Sequence, residues 1–328
     1  MKKKYKKYFS SAITIFVAII ISFYLVRSMP GDFIHLRATE IQLQQSLTYE
    51  TAYNIAKRQY NYDPSVPIYK QFIGYVGGLA HGNLGQSVIL RIPVTDIIRK
   101  ALPWTIFLCS VSLFISFLLG SIIGLFVSFR SRIRWLDSTV SFAAALSQSI
   151  PDFIIALLLI VILAINIQLF PLRGAYDVDT VPGFNIPFIL GVLYHAVLPV
   201  MSYVISTIGA WTLTMKASAS TVLSEDYINV AKAKGLRDKR ILSKYIGKNA
   251  VIPLVPGLAI SFAMMLSSSL FIENIFSYPG IGYFFGFSIG NRDFTLLQGI
   301  LLISIVMIVI SNHVADKVHE WLDPRIDL

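Results

Sequence analysis

The sequence is poor in charge and in cysteine. Charged residues make up 14% of its 328 residues and hydrophobic residues 55%, whereas a soluble domain carries about 25% charge. Its one cysteine, Cys109, cannot form an intrachain disulfide or a cluster of thiolate ligands. The five histidines show no spacing typical of metal ligands. These shortages exclude an ordinary soluble domain and a disulfide framework, and they indicate an integral membrane protein.

Signals for binding phosphate or nucleic acid are also missing. The Gly247–Lys248 pair lacks the upstream glycine loop and the following Ser or Thr of a Walker A motif. We therefore expect this chain to hold no cofactor and no metal, and to carry out no catalysis. The net charge of +10 could favour nucleic acid. However, the basic residues lie in short segments between apolar runs, as the positive-inside rule predicts for a protein surrounded by membrane lipid.

Six apolar windows are long enough to cross a bilayer, whose hydrocarbon core of ~30 Å needs ~20 helical residues. They are residues 9–29, 104–129, 137–169, 188–215, 251–275 and 296–315. The third window is too long for one straight span, and Pro151 should kink or split it. An interfacial first half over Leu136–Ile150, followed by a shorter span, is the alternative. The predicted fold class is an all-α integral membrane protein with about six transmembrane helices.

Lysine and arginine are distributed unevenly between the two sides of these windows. One side receives the N-terminal lysines, Arg130, the eight basic residues of Lys216–Lys248 and two basic residues of the C-terminal tail. The short loops of the other side hold only Arg173 and Arg292. The first apolar run is longer than that of a signal peptide, and no small-residue cleavage site follows it. The pattern predicts a multi-pass protein of the cell membrane with both termini in the cytoplasm.

These spans and loops predict the organisation of the chain. It consists of an N-terminal anchor helix (1–30), an extracellular segment (31–103), a membrane core (104–316) that includes a cytoplasmic loop (216–250), and a cytoplasmic tail (317–328). No internal repeat is visible.

The densest run of charge, EDYINVAKAKGLRDKR, lies in the middle of the cytoplasmic loop, over Glu225–Arg240. Ser224 is predicted to cap a short helix over Tyr227–Lys234, with Glu225 and Asp226 in its first turn, where the helix dipole favours anions. Gly235 is predicted to end the helix in the left-handed conformation. A helix of about three turns is not stable alone in water, so this one needs a surface to pack on.

The small residues of this helix, Ala231 and Ala233, favour entry into a groove on a soluble partner. A second helix is predicted from Asp238. Its apolar residues fall on one face and its basic residues lie off that face, which is typical of a helix on a membrane surface. The apolar residues are Ile241, Leu242, Tyr245 and Ile246. A simple connector with positive-inside charge is the alternative.

The segment resembles the cytoplasmic EAA loop of ATP-binding-cassette (ABC) importer permeases, in their oligopeptide, dipeptide and nickel branch. The residues that carry the resemblance are Glu225, Asp226, Tyr227, Ala231, Ala233, Lys234, Gly235 and Leu236, followed by Asn249, Ala250 and Pro253. Asn229 stands where the general loop has glutamate, and the proline comes later; both departures fit this branch. Further motifs follow in the family's order: MPGD (Met29–Asp32), LGQS (Leu84–Ser87), LPWT (Leu102–Thr105), FIENIFSYPGIG (Phe271–Gly282) and LDPRI (Leu322–Ile326).

This resemblance covers essentially the whole chain, and it implies a MetI-like permease fold with an extracellular segment after the first helix. It also implies that the chain forms half of a translocation pore for peptides, nickel or a metal chelate. The implied partners are a second homologous permease, two ABC ATPase subunits that bind ATP and Mg, and an extracytoplasmic substrate-binding protein. The short helix would be the coupling helix that docks into an ATPase. An ion-gradient-driven secondary transporter is the alternative; it predicts paired charges within the spans and an internal repeat.

Five polar residues are candidates for the translocation path: Asp152, Ser267, Ser268, Ser269 and Glu273. An unpaired carboxylate in the membrane costs several kcal/mol. Asp152 is therefore expected either to face the path, where it would favour cationic cargo, or to lie near an interface with a local partner. The serines either allow close helix packing or line a hydrated path. Glu273 is expected to satisfy loop amides, with a cargo contact as the alternative. Gly120 and Gly124 form a GxxxG pair for helix packing.

Overall fold

The structure, a computed structural model, describes residues 2–27, 33–59, 66–130 and 133–322. In these residues no strand forms, although Gln86 and Pro93 make one isolated antiparallel bridge. The prediction of an all-α protein is confirmed. The Met29–Asp32 motif and residues 323–328 of the C-terminal tail lie outside the described residues.

Twelve helices follow one another along the described parts of the chain. They are α1 (Lys2–Arg27), α2 (Phe33–Gln45), α3 (Tyr49–Gln59), α4 (Ile68–Ala80), α5 (Val94–Phe129), α6 (Arg134–Ser149), α7 (Asp152–Leu159), α8 (Ile186–Leu223), α9 (Asp226–Ala233), α10 (Val255–Ile275), α11 (Ile281–Gly290) and α12 (Phe294–Leu322). A π-helical stretch, Ile160–Asn166, continues α7. The segment of residues 238–254 before α10, which we call the elbow, is also helical. It comprises an α-helical turn at Asp238–Arg240, a π-helical stretch at Ile241–Gly247, a second α-helical turn at Lys248–Ala250 and a 3₁₀ turn at Ile252–Leu254.

Four helical runs are long and apolar enough to cross a membrane: Val94–Phe129, Ile186–Leu223, Asp238–Ile275 and Phe294–Val318. A fifth crossing is obtained if α6 and α7 together count as one span. The apolar part of α1, Tyr8–Tyr24, is shorter. The described residues therefore give four or five spans, and the sixth stays a prediction.

The third predicted window is split at Pro151. The chain turns by 96° between α6 and the helical run Asp152–Asn166. Ile150 is extended there, with φ −98° and ψ 119°, because the residue before a proline is driven out of the α region. Pro151, which has no amide proton to leave unbonded, precedes the first residue of α7. The predicted effect of Pro151 is confirmed.

The chain divides into two compact units. One comprises Met1–Pro103 with Gly280–Val306, and the other comprises Trp104–Pro279 with Met307–Leu328. In the first unit, α2 packs on α3 around buried Ile34, Ile41 and Ala52.

The core of the second unit forms where α6, α7 and α10 pack against α8. The GxxxG pair of α5 also packs on α8, as predicted. A Cβ on Gly120 would lie 2.6 Å from Trp211 Cβ, and a Cβ on Gly124 would lie 2.9 Å from Met215 Cβ. Because α5 carries no side chain at these two positions, its backbone can approach α8 closely.

The C-terminal half of α8 is held to α6 by charge and by close packing. Lys216 Nζ lies 2.6 Å from Asp137 Oδ1 and donates to Ser141 Oγ at 2.8 Å. Gly209 allows the approach, since a Cβ there would be 2.8 Å from the carbonyl carbon of Ala144. The elbow and α9 therefore follow a helix that is held to α6 by an ion pair, a hydrogen bond and close packing.

Candidate functional site

Helix α9 begins in a different way from the one its sequence predicts. Ser224 is the C-cap residue that follows α8 rather than a cap of α9, and its hydroxyl donates to the Thr221 carbonyl at 2.7 Å. Glu225 takes the extended N-cap conformation, with φ −74° and ψ 140°, and makes no side-chain cap. The Ser224 prediction is wrong because the serine bonds back into the preceding turn, a competing use of this side chain. Asp226 lies in the first turn, as predicted.

Gly235 ends α9 as predicted. Its φ is +69°, the left-handed region that glycine enters without a steric cost. The Gly235 amide donates to the Lys232 carbonyl at 2.9 Å, and the Leu236 amide donates to the Ala231 carbonyl at 3.3 Å. These two bonds form a Schellman motif. A Cβ at Gly235 would meet no atom within 4 Å, so backbone conformation alone requires the glycine.

The face of α9 that packs on its own chain carries Ile228 and Ala231, which are 0% and 3% exposed. They belong to the same core as Ile241 and Ile246 of the elbow, and α9 contacts the π-helical stretch of the elbow. The expectation that Ala231 faces a partner is therefore wrong. Ile228 and Ala231 lie three residues apart on one helical face, and the elbow covers that face.

The opposite face of α9 is open. It carries Asp226, Val230 and Ala233, spaced four and three residues apart, and Val230 is 52% exposed. Tyr227, on the flank, is 39% exposed. Val230 is a residue that sequence reasoning missed. An exposed β-branched side chain on a charged helix was the available signal.

A side-chain hydrogen bond ties α9 to the elbow. Asn249 Nδ2 donates to Tyr227 Oη at 3.0 Å and to the Tyr245 carbonyl at 2.9 Å. The elbow is tied in turn to α8, because Ser218 Oγ donates to the Ala250 carbonyl at 2.8 Å. Three consecutive elements are therefore joined by bonds of fixed geometry.

The elbow turns its apolar residues inward. Ile241 and Ile246 are fully buried, and a Cβ on Gly247 would lie 3.0 Å from Leu125 Cδ2 of α5. The predicted start at Asp238 and the predicted separation of apolar from basic residues are confirmed. The interpretation of this segment as a helix lying on the membrane surface is not confirmed, because the protein itself covers its apolar face.

The basic residues of the elbow face outward. Arg237, Lys239, Arg240 and Lys244 line an open pocket of ≈ 630 Å³ with Ser243 and Tyr245. Among the described residues, none of these four cations forms an ion pair. The exposed surface of this part of the loop is therefore positive.

The candidate path residues lie on two helices that pack together, α7 and α10. Asp152 is half-buried at the first position of α7, where its carboxylate accepts from the Phe153 amide at 2.8 Å. The serine hydroxyls each donate to their own helix: Ser267 to the Ala263 carbonyl, Ser268 to that of Met265 and Ser269 to that of Leu266. Asp152 and the serines are thus brought onto neighbouring helices without a hydrogen bond between them in the described part of the chain.

Glu273 is fully buried near the end of α10. Its backbone carbonyl accepts from the Tyr278 amide at 2.8 Å, which closes the turn after α10. Burial, and then the Glu273 carboxylate, raises the pKa of the Tyr278 phenol well above its ordinary value.

A second group of residues that sequence reasoning missed lies in the first unit. Asp293 is fully buried. One carboxylate oxygen accepts from the Ser87 hydroxyl and from the Ile89 amide, the latter at 3.2 Å. The other oxygen caps α12 by accepting from the Leu296 amide at 3.1 Å. The LGQS motif is therefore anchored to the start of the last helix.

Four apolar helical runs long enough to cross a membrane, together with a short exposed helix that is bonded to an elbow, are typical of a polytopic membrane permease. Residues 116–328 match the family model described as the binding-protein-dependent transport system inner membrane component. The chain belongs to this family, and it is a membrane-spanning permease subunit of an ABC importer.

Curated relatives match over nearly the whole chain. The oligopeptide transport system permease protein AppB of Bacillus subtilis is 28% identical over 312 residues, which are 94% of this chain and 93% of the relative. The dipeptide transport system permease protein DppB of the same organism is 31% identical over 327 residues, 98% of this chain and 97% of the relative.

The fold is also found among solved structures. An inward-facing structure of the MetNI methionine ABC transporter aligns with a TM-score of 0.54 and 16% identity, covering 70% of this chain and 97% of the matched one. The MetI-like fold is thereby confirmed, and the ion-gradient-driven alternative is set aside by the family match.

Proposed function

We propose that this chain forms one half of the pore of a peptide importer, with oligopeptides or dipeptides as cargo. The names of AppB and DppB support this cargo class. Nickel or a metal chelate is the second candidate. The cargo would be delivered by an extracytoplasmic binding protein, and a second, homologous permease would complete the pore.

The coupling function of α9 rests on one observation: the helix is bonded to its own chain on one face and open on the other. The open face, with Val230 and Ala233, would dock into an ABC ATPase subunit. The bond between Asn249 and Tyr227 would carry the movement of that subunit into the elbow and α10. ATP and Mg would be bound on two such ATPase subunits and not on this chain.

The positive surface of the elbow supports the same assignment. Arg237, Arg240 and Lys244 have no ion-pair partner in the described residues, and they line one open pocket. The π-helical stretch that carries Lys244 packs on α9. Acidic side chains on the ATPase would pair with them. Such pairs at the rim of an interface mainly raise the rate of association and make it sensitive to salt.

The docking is tested with Val230→Glu. A charge on the open face must lose its hydration in the contact, so the purified complex should lose ATPase subunit and uptake should fall. Lys232→Glu, which places the same side chain on the flank of α9, is the matched control and should retain most of both. Equal retention of the ATPase by the two variants would show that this face is not the docking face.

The proposed orientation places both termini and α9 in the cytoplasm. The excess of basic residues in 216–250 supports it. A cysteine at Ser46 should react with a membrane-impermeant maleimide on intact cells, and one at Ser243 should not. Cys109 is buried and should give little background. Labelling of Ser243→Cys from outside would reverse the topology.

A further inference from the structure

The connection between the π-helical stretch of α7 and the start of α8 exposes large apolar side chains. Val178 and Phe184 are essentially fully exposed, at 97% and 107%, and Val181 and Ile186 are 75% and 73% exposed. We call Val178–Ile186 the apolar tip. No charged residue lies within it except Asp179.

The apolar tip has a built conformation. Asn185 Oδ1 accepts from the Phe188 amide at 2.9 Å and so caps α8, while Asn185 Nδ2 donates to the Val181 carbonyl at 3.0 Å. On the other side of the loop, the Tyr176 ring packs on Phe188 with centroids 5.0 Å apart. The ring contact of Tyr176 before Phe184 and the hydrogen bonds of Asn185 after it therefore hold the loop in a conformation that exposes Phe184.

The sequence of α8 sets the level of the apolar tip relative to the bilayer. The 30 residues 186–215 contain no Asp, Glu, Lys or Arg. As a helix they extend about 45 Å, which matches the ~40–45 Å thickness of a bilayer with its headgroups. Lys216 then lies at one surface of the membrane and Ile186 at the other. The apolar tip is at the second surface, among the headgroups.

The apolar tip continues into an exposed apolar stripe on α8. Ile186 is followed by Ile189, Leu190 and Leu193, which are 44%, 60% and 52% exposed. Spacings of three, four and seven residues put them on one side of the helix. This surface runs from the headgroup level into the hydrocarbon core without a polar side chain.

We infer that Val178–Ile186 inserts into the adjacent leaflet and contacts phospholipid directly, as a lipid anchor between two spans. The side chain of Asn185 is used within the loop, and the most exposed side chains of the patch, Phe184 and Val178, are apolar. Fluid lipid chains can surround such protruding side chains without a complementary pocket. Asp179 would remain at the aqueous boundary, and Asp177 lies 3.6 Å from His195 of α8. The inference depends on the membrane location of the chain and not on the coupling function of α9.

The test uses spin labels on the complete transporter reconstituted in phospholipid vesicles. Phe184→Cys is labelled, and its collision rates with oxygen and with a water-soluble nickel chelate are measured. Asp179→Cys is the matched control in the same loop. Oxygen partitions into lipid and the chelate into water, so the ratio of oxygen to chelate collisions should be several-fold higher at position 184 than at position 179.

Two results would overturn the inference. A label at position 184 that collides freely with the chelate lies in water. An immobile label shielded from both reagents lies in a protein interface, either with a second permease or, when shielding requires added binding protein, with that protein. Both positions are exposed, so folding of the variants, checked by size-exclusion elution, should match that of the unsubstituted chain.

Discussion

Asn249 donates its side-chain amide to the phenolic oxygen of Tyr227 at 3.0 Å, and this bond spans 22 residues of the chain. It joins the first turn of α9 to the second α-helical turn of the elbow, shortly before the 3₁₀ turn that leads into α10. Any displacement of α9 by a docked subunit therefore reaches the elbow through a side-chain bond as well as through the intervening backbone.

Removing this bond should uncouple α9 from the elbow without unfolding the protein. Tyr227→Phe deletes the acceptor, and a hydrogen bond of this kind contributes about 1 kcal/mol. We expect uptake to fall while the ATPase still copurifies. Asn249→Ala should have a similar effect, and the double variant should lose little more than either single variant. Ser243→Ala, on the exposed side of the elbow, is the control. Fully additive losses would mean that the two residues act separately.

The turn at Gly235 should discriminate between substitutions by backbone preference and not by size. Gly235→Val would strain the left-handed residue by roughly 1–2 kcal/mol. Gly235→Asn should be tolerated better, since asparagine enters this region more readily. Retention of the ATPase on pull-down and cargo uptake measure the difference. If valine and asparagine behave alike, the conformation of this residue does not control the position of α9.

The close approach of α5 and α8 should make Gly124 sensitive to a single methyl group. Gly124→Ala would place its Cβ 2.9 Å from Met215 Cβ, and overpacking of this kind costs about 1–3 kcal/mol. Thermal unfolding in detergent should occur at lower temperature. Gly77→Ala in α4 is the control, because its Cβ would meet no atom within 4 Å. Alanine there should be neutral or slightly stabilising.

Asp293 should be needed for order at the LGQS loop. Asp293→Ala removes a helix cap, worth about 0.5–2 kcal/mol, and leaves the Ser87 hydroxyl without its buried acceptor. Hydrogen exchange of the amides of Ile89 and Leu296 should become faster. Asp96→Ala, an exposed acid in the first turn of α5, should leave both rates unchanged. Unchanged exchange in Asp293→Ala would show that the loop is held by other contacts.

Asp152 is proposed to face the translocation path. Its carboxylate is half-buried and bonds the adjacent Phe153 amide, which leaves acceptor capacity for a cationic group. Asp152→Asn keeps the size of the side chain and removes the charge. Uptake of peptides with a lysine side chain should fall more than uptake of neutral peptides of the same length. Equal changes for both cargoes would assign the residue a structural role only.

Some of these features follow from local sequence and others do not. Gly235 could be predicted because a left-handed helix stop is decided within one turn. The packing role of Gly120 and Gly124 could be predicted because two small residues four positions apart lie on one face of a helix, where they let a neighbouring helix approach closely. Pro151 breaks its helix through its own ring. Each of these outcomes depends on neighbours along the chain.

The features that could not be predicted depend on residues far away. Helix α9 has two faces of similar chemistry, one with Ile228 and Ala231 and the other with Val230 and Ala233. Only the position of the elbow decides which face is buried. The bond between Ser87 and Asp293 joins positions separated by 206 residues, and neither residue belongs to a pattern that indicates the other.

The helical run Asp238–Ile275, which includes the π-helical stretch and the 3₁₀ turn of the elbow, also amplifies small movements. Its 38 residues give a length of about 57 Å, so a tilt of about 5° around one end displaces the other by about 5 Å. The C-terminal end of this run carries Ser267, Ser268 and Glu273. The hydrogen bond to Tyr227 is made by Asn249, in the N-terminal third of the run. A small rotation at the elbow would therefore produce a larger displacement at the other end of the run, where it would change the lining of the proposed translocation path.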